Sequence, residues 1–166
     1  MKVLLIRHAV AEDRAGYKGD DAIRPLTPEG RRKMRKAAAG LRKIFPDIGV
    51  LVSSPLLRAA QTAAIVAKEY HLAETLEFAG LCPEKPPSEL LRWLKRHPAD
   101  AAAFVGHEPH LSHAAGYLLT GAGRSFIELK KGGACLLEFQ EGVEAGRAVL
   151  RWSLAPSQLR RLAGGG

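Results

Sequence analysis

Three short apolar runs constrain this chain more than any other feature: residues 3–6 (Val-Leu-Leu-Ile), 48–52 and 101–105. Each is strand-sized, and the first is continuously apolar, as expected of a strand buried on both faces. Helical patterns separate them. Met34, Ala37, Ala38, Leu41, Ile44 and Phe45 recur at helical spacing after the first run, and an alanine-rich stretch over 56–70 follows the second. Strand, helix, strand, helix is the order of an α/β chain whose parallel sheet is covered on both faces.

Local signals mark the boundaries. Thr27-Pro28-Glu29 reads as a helix start, with Thr27 as N-cap, proline at the first helical position and an acid in the first turn. Pro46-Asp47 ends that helix. Residues 76–79 read as a short edge strand, residues 80–87 are rich in turn formers, and Ser88 is expected to cap a helix whose buried stripe is Leu90, Leu91 and Leu94. After a helix over 111–119 the pattern changes. Residues 125–129, 135–139 and 148–152 read as strands joined by glycine-rich turns, before a closing helix over 156–162. The length of 166 residues suits one domain, expected over 1–163, with 164–166 as a frayed glycine tail.

Composition narrows the classes of function. No apolar run approaches the ~20 residues needed to span a bilayer, and the first is too short for a signal peptide, so a cytoplasmic protein without a membrane partner is expected. Cys82 and Cys135 show no metal spacing and read as reduced structural thiols. A formal net charge of +8 raises affinity for any polyanion without choosing among them. Ten aromatic residues and the absence of zinc-finger, RNP or helix-turn-helix patterns argue against specific nucleic-acid recognition. The basic run Arg31, Arg32, Lys33, Arg35 and Lys36 reads mainly as a solvated helix face, with a docking surface for an acidic partner as the alternative.

The chemistry gathers at the strand ends. Arg7 and His8 follow the first run, Arg58 falls in the first turn of the helix after the second, and Gly106-His107 follows the third. All would lie on the sheet edge where open α/β folds place their ligands. Two guanidinium forks and an imidazolium can hold a phosphoryl group without a metal, while a neutral imidazole attacks in line. In that arrangement His8 is the nucleophile, its other ring nitrogen held by a backbone carbonyl and its protonated form disfavoured by the arginines. Each residue also has a plain structural alternative. Arg58 could pair with an acid on the first helix, and His107 could be a satisfied loop histidine. Arg24 could contact the substrate or pair with Asp20 or Asp21. His107, His110 and His113 lack the four-residue step of a zincin motif and a completing carboxylate, so neither a metal nor another cofactor is expected.

Leu5-Ile6-Arg7-His8-Ala9 resembles the Arg-His-Gly signature of the histidine phosphatase superfamily, the phosphoglycerate mutase-like phosphatases. Ser54-Pro55-Leu56-Leu57-Arg58-Ala59-Ala60-Gln61-Thr62-Ala63 is similar to its second motif, and Val105-Gly106-His107 to its third. The small size, Arg24-Pro25-Leu26-Thr27 and Trp152-Ser153-Leu154-Ala155-Pro156 resemble its bacterial phosphohistidine phosphatases in particular. The resemblance implies a three-layer α/β/α sandwich around a mostly parallel sheet, with His8 transiently phosphorylated. It also implies that Arg7 and Arg58 bind the phosphoryl oxygens and that His107 completes the pocket. Ala9 departs from the usual glycine, which matters only if that position needs positive φ. The general acid is also poorly represented, Glu84 being the nearest candidate, with Glu77 and Glu89 beside it in sequence. Phosphohistidine needs less acid assistance than an ester, because imidazole can depart protonated. A phosphorylated histidine-containing signalling domain is therefore the expected substrate. A small phosphate ester, such as a sugar phosphate or nucleotide, and a non-catalytic phosphate-binding module are the alternatives.

Overall fold

The computed structural model describes residues 1–164. In chain order its elements are β1 (Lys2–Arg7), α1 (Pro28–Ile44), β2 (Val50–Ser53), α2 (Leu57–Tyr70), β3 (Leu76–Glu77) and α3 (Ser88–Arg96). They continue with β4 (Ala101–Gly106), α4 (His110–Thr120), β5 (Ala134–Glu138), β6 (Val149–Leu154) and α5 (Pro156–Gly164). The strands form one sheet in the order β3-β2-β4-β1-β5-β6. The pairings β3–β2, β2–β4 and β4–β1 are parallel, whereas β1–β5 and β5–β6 are antiparallel.

Alternation along β1 divides the core. Leu4 and Ile6 face α1, α2 and α5, packing with Met34, Leu41, Val66 and Leu159. Val3 and Leu5 face α3 and α4, packing with Leu90, Trp93, Leu111 and Phe104 of β4. Side chains two residues apart share a face, so a strand buried on both sides must be apolar at every interior position. Each such side chain contributes about 2 kcal/mol on burial, which explains why the polar groups of the strand, Lys2 and Arg7, stand only at its two ends. The expected three-layer α/β/α sandwich is what the chain forms, with a sheet that is parallel on one side of β1 and antiparallel on the other.

The Thr27 side chain accepts the Gly30 amide at the start of α1, with Pro28 in the first turn, as its sequence foretold. Three local expectations need correction. Residues 125–129 form no strand, because the Leu129 amide and carbonyl are taken by the Glu108 and Arg7 side chains instead of a neighbouring strand. Ser88 is the first helical residue of α3 and not its cap, that position being held by Pro87 without a side-chain hydrogen bond. Gly164 ends α5, while the rest of the expected frayed tail, residues 165–166, lies outside the described residues.

Cys82 and Cys135 are both buried and unbonded to each other, and burial pushes the Cys135 thiol up to about 12. No helix among the described residues is long and apolar enough to cross a membrane.

The contact between α1 and α5 is unusually close. A Cβ added to Gly40 would stand 1.8 Å from the backbone carbonyl oxygen of Leu159, so only glycine allows the two helices to meet there. Gly40→Ala should destabilise the fold by about 1–3 kcal/mol, as overpacking does. Thermal or urea unfolding reads this directly, and an unchanged midpoint would mean that α5 shifts freely on α1.

Candidate active site

The register of β1 against β4 pairs Arg7 with Gly106, so the next residues, His8 and His107, leave adjacent parallel strands side by side. The His8 amide donates to the Gly106 carbonyl at 2.9 Å and extends the ladder past the strand. After β1 the chain crosses towards β2, and after β4 it crosses the other way towards β5. Such a reversal opens a crevice at the carboxyl ends of the two strands. The His8 and His107 ring centroids lie 5.1 Å apart in it, with 6% and 2% of the residues exposed.

Each imidazole is held through one nitrogen. His8 Nδ1 lies 2.7 Å from the Ala9 carbonyl oxygen and donates to it, which leaves Nε2 as the nitrogen with a lone pair. Ala9 itself has ordinary negative φ, so alanine is accommodated where the motif usually carries glycine. Its amide donates to Thr62 Oγ1, and the Thr62 hydroxyl donates to the Arg58 carbonyl, so the second motif fixes the first. His107 Nε2 meets Ser54 Oγ at 2.8 Å, and its Nδ1 is buried without a hydrogen-bond partner.

The arginines approach from two sides. Arg7 donates from Nη1 to the Leu129 carbonyl at 2.7 Å. Arg58, 5% exposed, donates from Nη1 to the Asp21 carbonyl at 2.9 Å, and its Nη2 lies 3.2 Å from Asp21 Oδ2. The Nε atoms of both arginines are buried and unpartnered. Arg24 reaches the same carboxylate, with Nε 2.8 Å from Asp21 Oδ1, while its Nη1 donates to the Glu12 carbonyl. The acid that pairs with Arg58 therefore comes from the 9–26 loop, not from the first helix. Of the two pairings left open for Arg24, the structure adopts the one with Asp21.

Electrostatics follow from this crowding of cations in a buried place. Burial pushes the His8 imidazole down to about 4, against the favourable Ala9 hydrogen bond, and the charges of Arg58, Arg7 and Lys131 press in the same direction as burial. Burial, with His8 and Arg58 beside it, pushes His107 down to about 2. Both rings are thus neutral in the free protein, because a low-dielectric crevice already holding two guanidinium groups disfavours a third positive charge. The hydrogen bond from Arg24, together with the charge of Arg58, holds the Asp21 carboxyl below the usual carboxylate range.

Glu84 is exposed and forms no hydrogen bond or ion pair among the described residues. It lies two residues beyond Cys82, whose Sγ is 3.8 Å from Ser54 Oγ. Glu77 ends the edge strand β3 and Glu89 lies in the first turn of α3. No group of three or more His, Cys, Asp or Glu side chains able to hold a metal forms among the described residues.

Three contributors escaped the sequence reading. Ser54 and Thr62 lie inside the second motif, but their roles need the distances between strands. Glu108 is the third. Its Oε1 accepts the Leu129 amide at 3.0 Å and its Oε2 accepts the Ser112 hydroxyl, so it fastens the peptide segment whose carbonyl holds Arg7. Its place directly after His107 was the one available signal.

Comparison with known proteins agrees with this geometry. The model of the histidine phosphatase superfamily (branch 1) matches residues 3–81. The chain is 35% identical over 136 residues to an uncharacterized protein of Picosynechococcus sp., covering 80% of this chain and 82% of that one. It is 25% identical over a 167-position alignment to the phosphohistidine phosphatase SixA of Escherichia coli, covering 96% and 97% of the two chains. The solved structure of the protein histidine phosphatase SixA complexed with tungstate superposes with a TM-score of 0.83 at 23% identity, over 96% of this chain and 99% of that chain. A phosphoserine phosphatase from Entamoeba histolytica shares the fold at a TM-score of 0.72 and 18% identity, over 95% and 98%. The crevice and its neighbours belong to the class of α/β phosphatases. This chain is a member of the histidine phosphatase superfamily.

Because both histidine pKa values lie below the value of ~6.5 for an unfolded chain, the folded state binds fewer protons in mildly acid solution. The stability these groups contribute is complete above that pH and is lost as pH falls from ~6.5 towards 4 and below. NMR titration should find both rings neutral at pH 5.5, and half-protonation of His8 near pH 6.5 would contradict this account.

Proposed function

We propose that the protein is a metal-independent phosphatase that hydrolyses phosphohistidine in a signalling protein through a phospho-His8 intermediate. Membership of the superfamily supports the broader activity, phosphate release. One observation carries the narrower reading: the crevice is rich in nitrogen donors and, among the described residues, holds no carboxyl group placed to give up a proton. Asp21 is bound as an anion by two arginines, Glu108 is occupied by Leu129 and Ser112, and Glu84 is exposed.

The chemistry follows from the hydrogen bonds. The lone pair on His8 Nε2 attacks phosphorus, and the bond from phosphorus to the substrate imidazole nitrogen breaks. If the distal nitrogen of that imidazole carries a proton, it departs as a neutral ring and needs no acid at the breaking bond. His8 keeps its Nδ1 proton on the Ala9 carbonyl throughout, so the phosphorylated ring is cationic and is itself a good leaving group. Water then attacks phosphorus, the bond from phosphorus to Nε2 breaks, neutral His8 is restored, and the proton from water passes to phosphate or solvent.

In this reading the Nε groups of Arg7 and Arg58 and the Nδ1 of His107, unpartnered in the free protein, receive the equatorial oxygens as charge builds on them. Arg24 acts through Asp21 on the orientation of Arg58. A protein domain carrying phosphohistidine is the proposed partner. A small phosphate ester is the second reading, favoured by the unpaired Glu84 carboxylate two residues from Cys82.

A histidine-containing domain labelled on its phosphoryl group tests the first reading. Label should pass to the protein and appear as inorganic phosphate, equally with and without EDTA. His8→Ala should abolish both steps, and retention of all label on the substrate by the unaltered protein would overturn the proposal. Glu84→Gln separates the two readings, with less than a threefold change on phosphohistidine and a larger loss on any ester that is cleaved, in line with the ~10²-fold worth of a general acid. A comparable loss on phosphohistidine would make Glu84 its acid.

A further inference from the structure

The basic run on α1 is not spread evenly into solvent. Lys33 and Lys36 meet Arg160 and Arg161 of α5 around a groove of about 400 Å³, which Arg32 and Ser157 complete. Lys33 and Arg160 also line a second cavity of about 220 Å³, whose floor includes Val10, Met34, Ala37 and Pro156. That cavity reaches Ala9 and Lys131, and Lys131 is near enough for its charge to depress the protonation of His8. One continuous surface therefore runs from the edge of the catalytic crevice along the seam between α1 and α5.

Its charge is unbalanced. Glu29 pairs with Lys33 at 2.6 Å and lies 4.0 Å from Arg32. Lys36, Lys131, Arg160 and Arg161 pair with no carboxylate among the described residues. Six cations thus face a single acid. Close approach of α1 and α5 at Gly40 also brings cations from two helices onto one surface.

We infer that this α1–α5 surface docks an acidic face of the protein substrate, beside the phosphohistidine presented to His8. The inference rests on the functional reading above and specifies its substrate. A long polyanion would also meet the positive charge, but the cavity floor is aliphatic and offers no aromatic ring for a base to stack on. An acidic protein face with an apolar side chain near the phosphorylated histidine matches both the charged groove and the aliphatic cavity. Attraction of this kind acts chiefly on encounter, so it should appear in kcat/KM and in its dependence on salt.

The test compares two substrates. One is an acidic phosphohistidine domain, and the other is phosphoramidate, which is too small to touch the groove. In Lys36→Glu/Arg160→Glu/Arg161→Glu, kcat/KM for the domain should fall about tenfold or more at low salt, mainly through KM, whereas phosphoramidate turnover should stay within twofold. Raising salt should slow the unaltered protein on the domain and affect the variant far less. An equal effect on both substrates, or none on the domain, would overturn the docking surface. If the triple variant does not fold, Arg160→Gln/Arg161→Gln is judged by the same ratio. Single-stranded RNA that binds the unaltered protein at 150 mM salt more tightly than the domain does, and loses that binding in the variant, would assign the surface to nucleic acid and overturn the inference. Failure of the unaltered protein to release phosphate from either substrate would instead refute the functional reading.

Discussion

Parallel pairing of β1 with β4 is the constraint from which the site descends. Neither strand carries a polar interior residue, so nothing but backbone hydrogen bonds and buried apolar side chains sets their register. A shift by one residue would exchange the faces of Val3 and Leu5 with those of Leu4 and Ile6, driving each pair against the wrong helical layer. The same register puts His8 beside His107. Packing of the core and placement of the two imidazoles are thus one event.

Around that pair the protein has gathered charge of one sign and then tempered it. Arg58 is nearly inaccessible, and a buried guanidinium without a counter-charge is costly. Asp21 supplies that counter-charge from a loop that closes over the strand end, and Arg24 holds Asp21 in turn. The carboxylate steadies the fork while remaining ionised, which makes it a poor proton donor. Burial meanwhile keeps both histidines neutral, the state a nitrogen nucleophile requires. A crevice assembled this way concentrates positive charge beside two neutral imidazoles and holds its nearest carboxylate, Asp21, as an anion.

Legibility in the sequence followed the range of the physical cause. The start of α1 could be read because Thr27 caps it within three residues. The strands β1 and β4 could be read because burial on both faces demands an unbroken apolar run. Residues 125–129 misled for the complementary reason: Phe126 and Ile127 have strand-like character, but strand formation needs a neighbour, and the available backbone groups bond to Glu108 and Arg7. Ser88 misled because a favourable cap residue follows two prolines, one of which takes the capping position. Ser54 carries no local signal, since His107 lies 53 residues away, and Asp21 and Glu108 could be read only as neighbours of Arg24 and His107, because Arg58 and Leu129 lie 37 and 21 residues from them.

By itself the sequence determined the order of strands and helices, the emergence of Arg7, His8, Arg58 and His107 at strand ends, and the excess of positive charge. Those properties come from local periodicity and from residue identity. Only the tertiary structure decided that His107 is neutral, that Asp21 occupies the outer edge of Arg58, and that the basic residues of α1 share a groove with those of α5. Each of these depends on burial or on distance between segments far apart in the chain, quantities that exist only once the chain has packed.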